Sequence, residues 1–241
     1  MDAPVALVGS GEFLETTRPI DELLLAGRPR RAVFLPTAAA EEGADRIRYW
    51  LELGVAHFAA MDVEPVPLPV LDRADAARAE LAGQVAGAGL IYLSGGNPGY
   101  LADTLRDSAV WRAILDAHRG GAALAGCSAG AMALCAAADD VRAPGRFSGR
   151  GLGLLPHLAV IPHFDRSGGL AHRLARAVLE RAPKGVHVVG IDEETALVGG
   201  PERFSVVGRR AVWELDRDGA AVRRGPGEDV ELTARAVTPP G

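Results

Sequence analysis

Residues 122–138 read AALAGCSAGAMALCAAA, and this stretch predicts the architecture around which the chain is built. The apolar run at 122–126 is typical of a buried strand, and the alanine-rich run at 129–138 is typical of a helix. GCSAG (126–130) joins them and matches G-x-S-x-G, the pattern of a nucleophile elbow, in which a sharp turn exposes a serine. Since glycines leave room for such a turn, the stretch predicts a strand–turn–helix unit with Ser128 at its tip.

Two other interpretations of this turn stay open. Ser128 can be an ordinary N-cap at the start of a helix rich in glycine and alanine. Cys127 is a rival nucleophile, although a residue at a strand end is expected to point into the packing, where cysteine behaves as a small apolar residue. Cys135 is expected in the core.

Strands and helices alternate over the rest of the chain as well. Apolar runs predict strands at 5–9, 31–38, 63–68, 89–96, 158–164 and 186–192. Periodic segments predict helices at 45–58, 74–86, 99–118 and 168–182. This alternation predicts an α/β fold with a doubly wound, mostly parallel sheet and helices on both faces. The segments TALVGG, FSVVG and RAVWELD predict a C-terminal antiparallel meander that closes the sheet. No linker separates two cores, so we expect residues 1–241 to form a single domain.

The composition excludes several classes of function. Hydrophobic residues make up 48% of the 241 and charged residues 24%, as in globular proteins, and a net charge of −5 gives no basic footprint for nucleic acid or an anionic membrane. No apolar run approaches the ~20 residues that cross a bilayer. The N-terminus lacks a secretory pattern, so we expect a cytoplasmic location. The two cysteines lack the spacing of a zinc site, so no metal is expected.

A serine nucleophile needs a base within hydrogen-bond reach. His163 is the best placed histidine, because it follows the apolar run LAVIP and a strand that leaves a parallel sheet delivers its last residue to the carboxyl edge. His57 and His118 lie in helical patterns and His187 begins a strand, which suits structural roles; His157 and His172 stay open.

The base in turn needs an acid that fixes its tautomer. GIDEETAL supplies Asp192, Glu193 and Glu194 at a strand end. We expect one of these carboxylates to lie against the histidine and its neighbours to face water, because burial of several like charges is costly. Asp139 and Asp140, just after the elbow helix, are the competing acids.

LSGGNPGY (93–100) follows a strand and opens a helix. Asn97 as N-cap and Pro98 at the first helical position explain that start without any function. The paired glycines also expose backbone N–H groups, so the N–H groups of Gly96 and Ala129 are the expected oxyanion hole. GSGEFL (9–14) has only two of the three glycines of a dinucleotide-binding fingerprint and indicates a nucleotide site weakly.

Six segments together resemble the serine peptidase family of dipeptidase E (aspartyl dipeptidase) and cyanophycinase: VGSGEF, FLPTA, LSGGNPGYL, GCSAGA, GLGLLP followed by PHF, and GIDEETAL. Their order and spacing match over residues 4–215, which is more specific than any single motif. The resemblance implies a fold like that of the class I glutamine amidotransferases, with a flavodoxin-like sheet. It also implies that Ser128 is the nucleophile, His163 the base, and Gly96 and Ala129 the oxyanion hole.

The resemblance allows two choices for the orienting acid. GIDEETAL is similar to the cyanophycinase branch, whose acid falls on Glu193. The dipeptidase branch uses an aspartate shortly after the elbow, near Asp139 and Asp140. We expect Glu193 to be the acid.

The segment after the PHF motif departs from the family pattern. The family continues with R-x-R-x-x-R-L, and this chain reads HFDRSGGLAHRL. Arg173 matches the last arginine, whereas Leu170 stands where another is expected. An arginine there would pair with a substrate carboxylate bidentately, and Arg166 is the candidate substitute. Arg166, Arg173 and Asn97 are the expected substrate-binding residues.

The expected function is that of a serine hydrolase that cleaves short peptides or isopeptides, with aspartyl substrates (Asp-X or β-aspartyl) as one class. It needs no cofactor, and the expected partners are a small peptide substrate and, if the chain self-associates, a second copy in a homodimer. Two alternatives stay open. One is a glutaminase or amidotransferase that depends on Cys127, and the other is a flavodoxin-like binding module without catalysis that holds a nucleotide at GSGEF.

Overall fold

The computed structural model describes residues 3–138, 148–167, 178–180, 182, 185–216 and 220–234. Its centre is a sheet of eight strands: β1 (Val5–Val8), β2 (Arg31–Leu35), β3 (Glu64–Pro67), β4 (Leu90–Leu93), β5 (Ala123–Cys127), β8 (Thr195–Gly199), β9 (Arg203–Gly208) and β12 (Asp229–Glu231). They lie in the order β12-β9-β8-β1-β5-β4-β2-β3. The five strands from β1 to β3 in that order are parallel, and β8, β9 and β12 add antiparallel pairs at the other side.

A second, smaller sheet contains β6 (Leu158–Ile161), β7 (His187–Ile191), β10 (Val212–Leu215) and β11 (Ala221–Arg224), in the order β11-β10-β7-β6. β6 and β7 are parallel, and the other two pairs are antiparallel. The sequence predicts one sheet closed by a meander of three strands. Only the first two of those strands, β8 and β9, join the large sheet, and β10 pairs with β7 instead. Asp192, directly after β7, stabilises that pair because it accepts hydrogen bonds from Ala211 and Trp213 on the β10 segment.

Helices cover both faces of the large sheet: α1 (Arg18–Leu25), α2 (Ala44–Ala59), α3 (Arg73–Ala77), α4 (Ala79–Gly83), α5 (Pro98–Leu105), α6 (Ala109–Arg119) and α7 (Ala129–Leu134). Alternate residues of the strands enter separate apolar clusters. Leu7 and Leu124 pack in one cluster, while Ala6 and Ala125 pack in the other. This period of two is expected for strands buried on both faces. The predicted doubly wound α/β fold, flavodoxin-like as the resemblance implies, is thereby confirmed.

The helix predicted at 99–118 is divided in two. Asp107 has a φ of 58°, which a continuing helix does not allow, and Ser108 caps α6 by accepting the N–H of Trp111 at 3.0 Å. Within the described ranges, no helix has the length and apolar character needed to span a membrane.

The topology places the carboxyl ends of β1, β4 and β5 at one edge of the large sheet. β6 and β7 of the small sheet end beside that edge, and the turn after β7 leads directly into β8 of the large sheet. In open α/β sheets this edge is where ligands bind. The functional residues expected from the sequence follow four of these strand ends.

Candidate active site

The turn after β5 has the geometry of a nucleophile elbow. Ser128 lies between the last residue of β5 and the first of α7, with φ 52° and ψ −109°. A positive φ is uncommon for a residue with a side chain and costs on the order of 1–3 kcal/mol, so the surrounding structure must enforce it. Part of that enforcement is the hydrogen bond from the Ser128 N–H to the carbonyl of Val8, at 2.9 Å. The strand–turn–helix unit predicted from the sequence is present.

Two glycines, Gly126 and Gly130, allow the backbone of α7 to lie in direct contact with β4 and β5. A methyl group on Gly126 would lie 2.5 Å from the carbonyl carbon of Gly130. One on Gly130 would lie 2.2 Å from the carbonyl oxygen of Leu93 at the end of β4. Both positions therefore exclude any side chain, and it is this backbone contact that sets the direction of Ser128.

His163 lies between Ser128 and Glu193. Its Nε2 is 3.0 Å from the Oγ of Ser128, and its Nδ1 is 2.9 Å from the Oε1 of Glu193. The histidine follows β6 and Pro162 and has a φ of 51°, so the chain turns sharply where it delivers the ring. β6 belongs to the small sheet rather than to the large parallel sheet expected from the sequence. The structure nevertheless brings an alcohol, an imidazole and a carboxylate from three distant segments into one hydrogen-bonded row.

Glu193 is held from several directions. Its backbone N–H donates to the Oδ1 of Asp165 at 2.9 Å, and its carbonyl accepts from the hydroxyl of Thr195 at 3.1 Å. The Nε of Arg166 lies 3.2 Å from the second carboxylate oxygen. Arg210 forms an ion pair with the other oxygen of Asp165. The side chain of Glu193 is only 15% exposed, so these contacts fix a carboxylate whose Oε1 faces the histidine.

The two neighbours of Glu193 differ from each other. Glu194 pairs with Arg209 at 3.1 Å near the surface, and its pKa is lowered by a hydrogen bond from Thr16 and by Arg209. Asp192 is buried instead, and burial raises its pKa although it accepts hydrogen bonds from Ala211 and Trp213. The expectation that both neighbours face water is wrong for Asp192, because its carboxylate connects β7 to β10.

A cavity of about 540 Å³ opens beside Ser128 and His163. Its volume lies in the range of small-ligand sites. The described residues that line it are Ser10, Gly11, Glu12, Leu14, Glu42, Arg46, Tyr49, Trp50, Leu53, Gly95, Gly96, Pro98, Ser128, Ala129, Met132, Val160, Ile161, Pro162, His163 and Val178. The candidate nucleophile, the candidate base and both expected oxyanion-hole residues thus share one cavity.

Comparisons with known proteins identify the family of the chain. Residues 5–207 match the model of peptidase family S51. The chain belongs to peptidase family S51. A crystal structure of a peptidase from an acI-B1 Actinobacterium is similar at 34% identity and a TM-score of 0.84, covering 96% of this chain and 97% of that one. No curated protein sequence matches the chain significantly.

A structure at 18% identity is similar in fold. It is the "Putative Peptidase E Protein" from Listeria monocytogenes EGD-e, with a TM-score of 0.64, 87% of this chain covered and 99% of that one. The family model and the structure at 34% identity confirm, at the level of the family, the resemblance inferred from the six sequence segments.

In this S51 peptidase the Gly95–Gly96 turn lies beside the elbow. Gly96 has a φ of 139°, and a methyl group there would lie 2.3 Å from the carbonyl oxygen of Ala38, so only glycine fits. Ala129 is the first residue of α7, where backbone N–H groups have no partner within the helix. Asn97 caps α5 by accepting the N–H of Tyr100 and donates to Glu41. Its side chain thus serves the helix start, and it is not among the described residues that line the cavity.

Cys127 is placed as a packing residue in the S51 peptidase. It is 0% exposed, and its thiol donates to the Oε2 of Glu12 at 2.8 Å. Burial, together with the charge of Glu12, raises the pKa of this thiol well above its usual value. A cysteine acts as a nucleophile through its thiolate, so the geometry disfavours the interpretation with Cys127 as nucleophile. Cys135 is also fully buried, as expected.

Sequence reasoning missed several residues around the site. In the sequence Glu12 stands out only as part of the glycine pattern GSGEFL, yet it contacts both Gly95 and Cys127. Arg46 also lines the cavity, with its guanidinium 4.9 Å from the ring centre of Tyr49 and 4.7 Å from that of Trp50. The spacing Arg46, Tyr49, Trp50 on one helix was the available signal, because residues three and four apart share a helix face.

The remaining candidates fall into two groups. Asp139, Asp140, Leu170, His172 and Arg173 lie outside the described residues. The other described histidines make structural contacts: His57 lies 2.8 Å from Asp21 in the interior, and His118, His157 and His187 contact backbone carbonyls. No group of three or more potential metal ligands occurs in the part of the chain that the structure covers.

Proposed function

We propose that this S51 peptidase is a serine-type enzyme that hydrolyses short peptides or isopeptides by acyl transfer. The observation that carries the proposal is the row of two hydrogen bonds, 3.0 and 2.9 Å long, that connects Ser128, His163 and Glu193. These distances suit proton transfer between a nucleophile, a base and an orienting acid. The strained backbone of Ser128 supports the same role, since such strain is concentrated at functional sites.

The geometry supports a complete acylation step. With the Nδ1 proton of His163 directed at Glu193, Nε2 accepts the proton of Ser128 while Oγ forms a bond to the substrate carbonyl carbon. The negative charge that develops on the carbonyl oxygen is stabilised by the N–H groups of Gly96 and Ala129. When the tetrahedral intermediate collapses, the C–N bond breaks and His163 returns the proton to the leaving amine. The product of this step is an ester between the acyl group and Ser128.

A water molecule then completes the reaction. His163 takes a proton from the water, whose oxygen attacks the ester carbonyl, and the same N–H groups hold the oxyanion again. The ester bond breaks, the proton passes to Ser128, and a free carboxylic acid leaves. Glu193 stays ionised and stabilises the imidazolium in both steps.

The cavity favours a small substrate. At about 540 Å³ it holds a short peptide rather than a folded protein segment. Aspartyl substrates (Asp-X or β-aspartyl) are the class that the family resemblance supports. Arg166, a proposed substrate-binding residue, also lies against the carboxylate of Glu193. A carboxylate on the substrate would therefore compete with Glu193 for this guanidinium.

A dipeptide library tests the proposal. Wild-type protein is assayed on dipeptides graded by their N-terminal residue, with β-aspartyl peptides included, and compared with Ser128→Ala. Loss of the nucleophile is expected to lower kcat on the order of 10⁶-fold. Iodoacetamide is expected to leave the activity unchanged, because Cys127 is buried. Substantial hydrolysis by Ser128→Ala, or inactivation that tracks the alkylation of Cys127, would contradict the serine mechanism.

A further inference from the structure

Glu12 is a buried carboxylate in the wall of the active-site cavity. It lies in the loop after β1, is 6% exposed and lines the cavity with Ser128. Its Oε1 accepts the backbone N–H of Gly95 at 2.8 Å, and its Oε2 accepts the thiol of Cys127 at 2.8 Å. Among the residues that the structure describes, no arginine, lysine or histidine forms an ion pair with it.

A carboxylate in such a place needs an explanation. Burial of a charge is costly unless partners compensate, and here both partners are neutral groups. An apolar residue of similar size would avoid that cost. The presence of the carboxylate is therefore explained by what its two hydrogen bonds hold in place.

The two partners occupy equivalent positions in the site. Gly95 comes directly before Gly96, and Cys127 comes directly before Ser128. One side chain thus bridges the residue before the proposed oxyanion donor and the residue before the proposed nucleophile. A methyl group on Gly95 would lie 2.9 Å from the Oε1 of Glu12 and 3.5 Å from the Cβ of Ser128, so the three groups are in direct proximity.

The opposite side of the Gly95–Gly96 turn is fixed by backbone. The N–H of Asn97 donates to the carbonyl of Ala38 at 2.7 Å, and that same carbonyl lies 2.3 Å from where a Cβ of Gly96 would be. Two consecutive glycines have wide conformational freedom. Glu12 supplies the side-chain hydrogen bond on the side that faces Ser128.

We propose that Glu12 is a positioning residue that holds the Gly95–Gly96 turn in register with Ser128, so that the oxyanion hole is assembled before substrate binds. The inference rests on the proposed function. It implies that Glu12 contributes to stabilisation of the transition state, and that it does so by accepting a hydrogen bond rather than through its charge.

Kinetics of three variants test the inference. Glu12→Ala removes both hydrogen bonds, and we expect kcat to fall about 10- to 100-fold, because displacement of a catalytic group by about 1 Å costs up to 10²-fold. KM is expected to stay within about twofold, since the oxyanion forms only after binding. Glu12→Gln keeps an oxygen for the Gly95 N–H and is expected to restore most of kcat. Glu15→Ala removes an exposed carboxylate three positions further along the chain, at the start of a 3-10 helix, and serves as the control.

A second measurement separates positioning from folding. A peptide aldehyde that forms a tetrahedral adduct with Ser128 reports on the oxyanion hole, whereas a cleavage product reports on ground-state binding. Affinity for the aldehyde should fall in Glu12→Ala in proportion to kcat, with product affinity unchanged. Urea denaturation identifies any variant that is unfolded under assay conditions. If Glu12→Ala is unfolded, the kcat values of Glu12→Gln and Glu12→Asp are compared with that of the wild type instead.

Two outcomes would overturn the inference. One is full activity of Glu12→Ala. The other is a Glu12→Gln variant that is as impaired as Glu12→Ala because its KM rises. That result would instead assign Glu12 to binding a cationic group of the substrate. Failure of the proposed function would give a different result. The Ser128→Ala variant would then hydrolyse the substrate at the wild-type rate, whatever the activities of the Glu12 variants.

Discussion

The elbow at 126–130 and the acid turn at 192–194 lie side by side in the candidate site, yet they are held in opposite ways. The elbow is fixed by contact between backbones, at two glycines that exclude any side chain. The acid turn is fixed by side chains that reach it from elsewhere, among them Asp165 and Arg166. The first arrangement depends on backbone groups that can meet only where the residue between them is glycine, and the second on side chains brought in from distant parts of the chain. The two turns should therefore respond differently to substitution.

Among substitutions that leave the nucleophile in place, the largest effect on kcat is expected at the centre of the acid turn. Glu193→Gln keeps the size of the side chain but presents an amide to Nδ1 of His163, which disfavours the tautomer that the reaction requires. We expect kcat to fall about 10⁴-fold with little change in KM. Steady-state kinetics on the best dipeptide of the library measure both constants.

Two further substitutions serve as comparisons. Glu194→Gln alters the carboxylate that pairs with Arg209 at the surface and is expected to change kcat by no more than about twofold. Asp140→Asn alters an acid of the kind used by the dipeptidase branch. A greater loss of activity in Asp140→Asn than in Glu193→Gln would assign the orienting role to the segment after the elbow.

The elbow is expected to fail through stability rather than chemistry. A methyl group in Gly130→Ala would lie 2.2 Å from the carbonyl oxygen of Leu93, so either α7 or β4 must move. We expect a loss of about 3 kcal/mol in the free energy of unfolding, measured by urea denaturation. Gly83→Ala, at the end of α4 with nothing within 4 Å of the added methyl, should change stability by less than about 1 kcal/mol. Equal stability of the two variants would mean that close backbone packing does not hold the elbow.

The same contrast explains what could be predicted from the sequence. G-x-S-x-G is a local pattern, and the strand before it and the helix after it are visible in the neighbouring residues. The elbow and the doubly wound fold were therefore predictable. The same reasoning places His163 at a strand end. Glu193 is one of three adjacent carboxylates at another strand end, and the family resemblance singled it out. The structure brings both within hydrogen-bond distance of their expected partners.

The supporting contacts were not predictable, because each joins segments far apart in the chain. Asp165 and Arg210 are separated by 45 positions, and Glu12 and Cys127 by 115. No short pattern records such a pair. The division into two sheets could not be predicted for a similar reason. The residues of the strand at 212–215 do not show which strand it pairs with, β9 or β7. In the structure it pairs with β7, where Asp192 accepts a hydrogen bond from Ala211.

The smallest effect is expected from a residue that supports the acid turn without touching His163. Asp165→Asn keeps one oxygen for the N–H of Glu193 but removes the charge that pairs with Arg210. Loss of a charge-assisted contact of about 1.4 kcal/mol corresponds to a fall in kcat of about tenfold, with KM unchanged. Asp229→Asn removes a carboxylate that hydrogen-bonds Ser205 at the edge of the large sheet and should leave kcat within about twofold. If Asp165→Asn instead retained full kcat, the position of Glu193 would be set by the backbone of its own turn, and the acid turn would resemble the elbow in that respect.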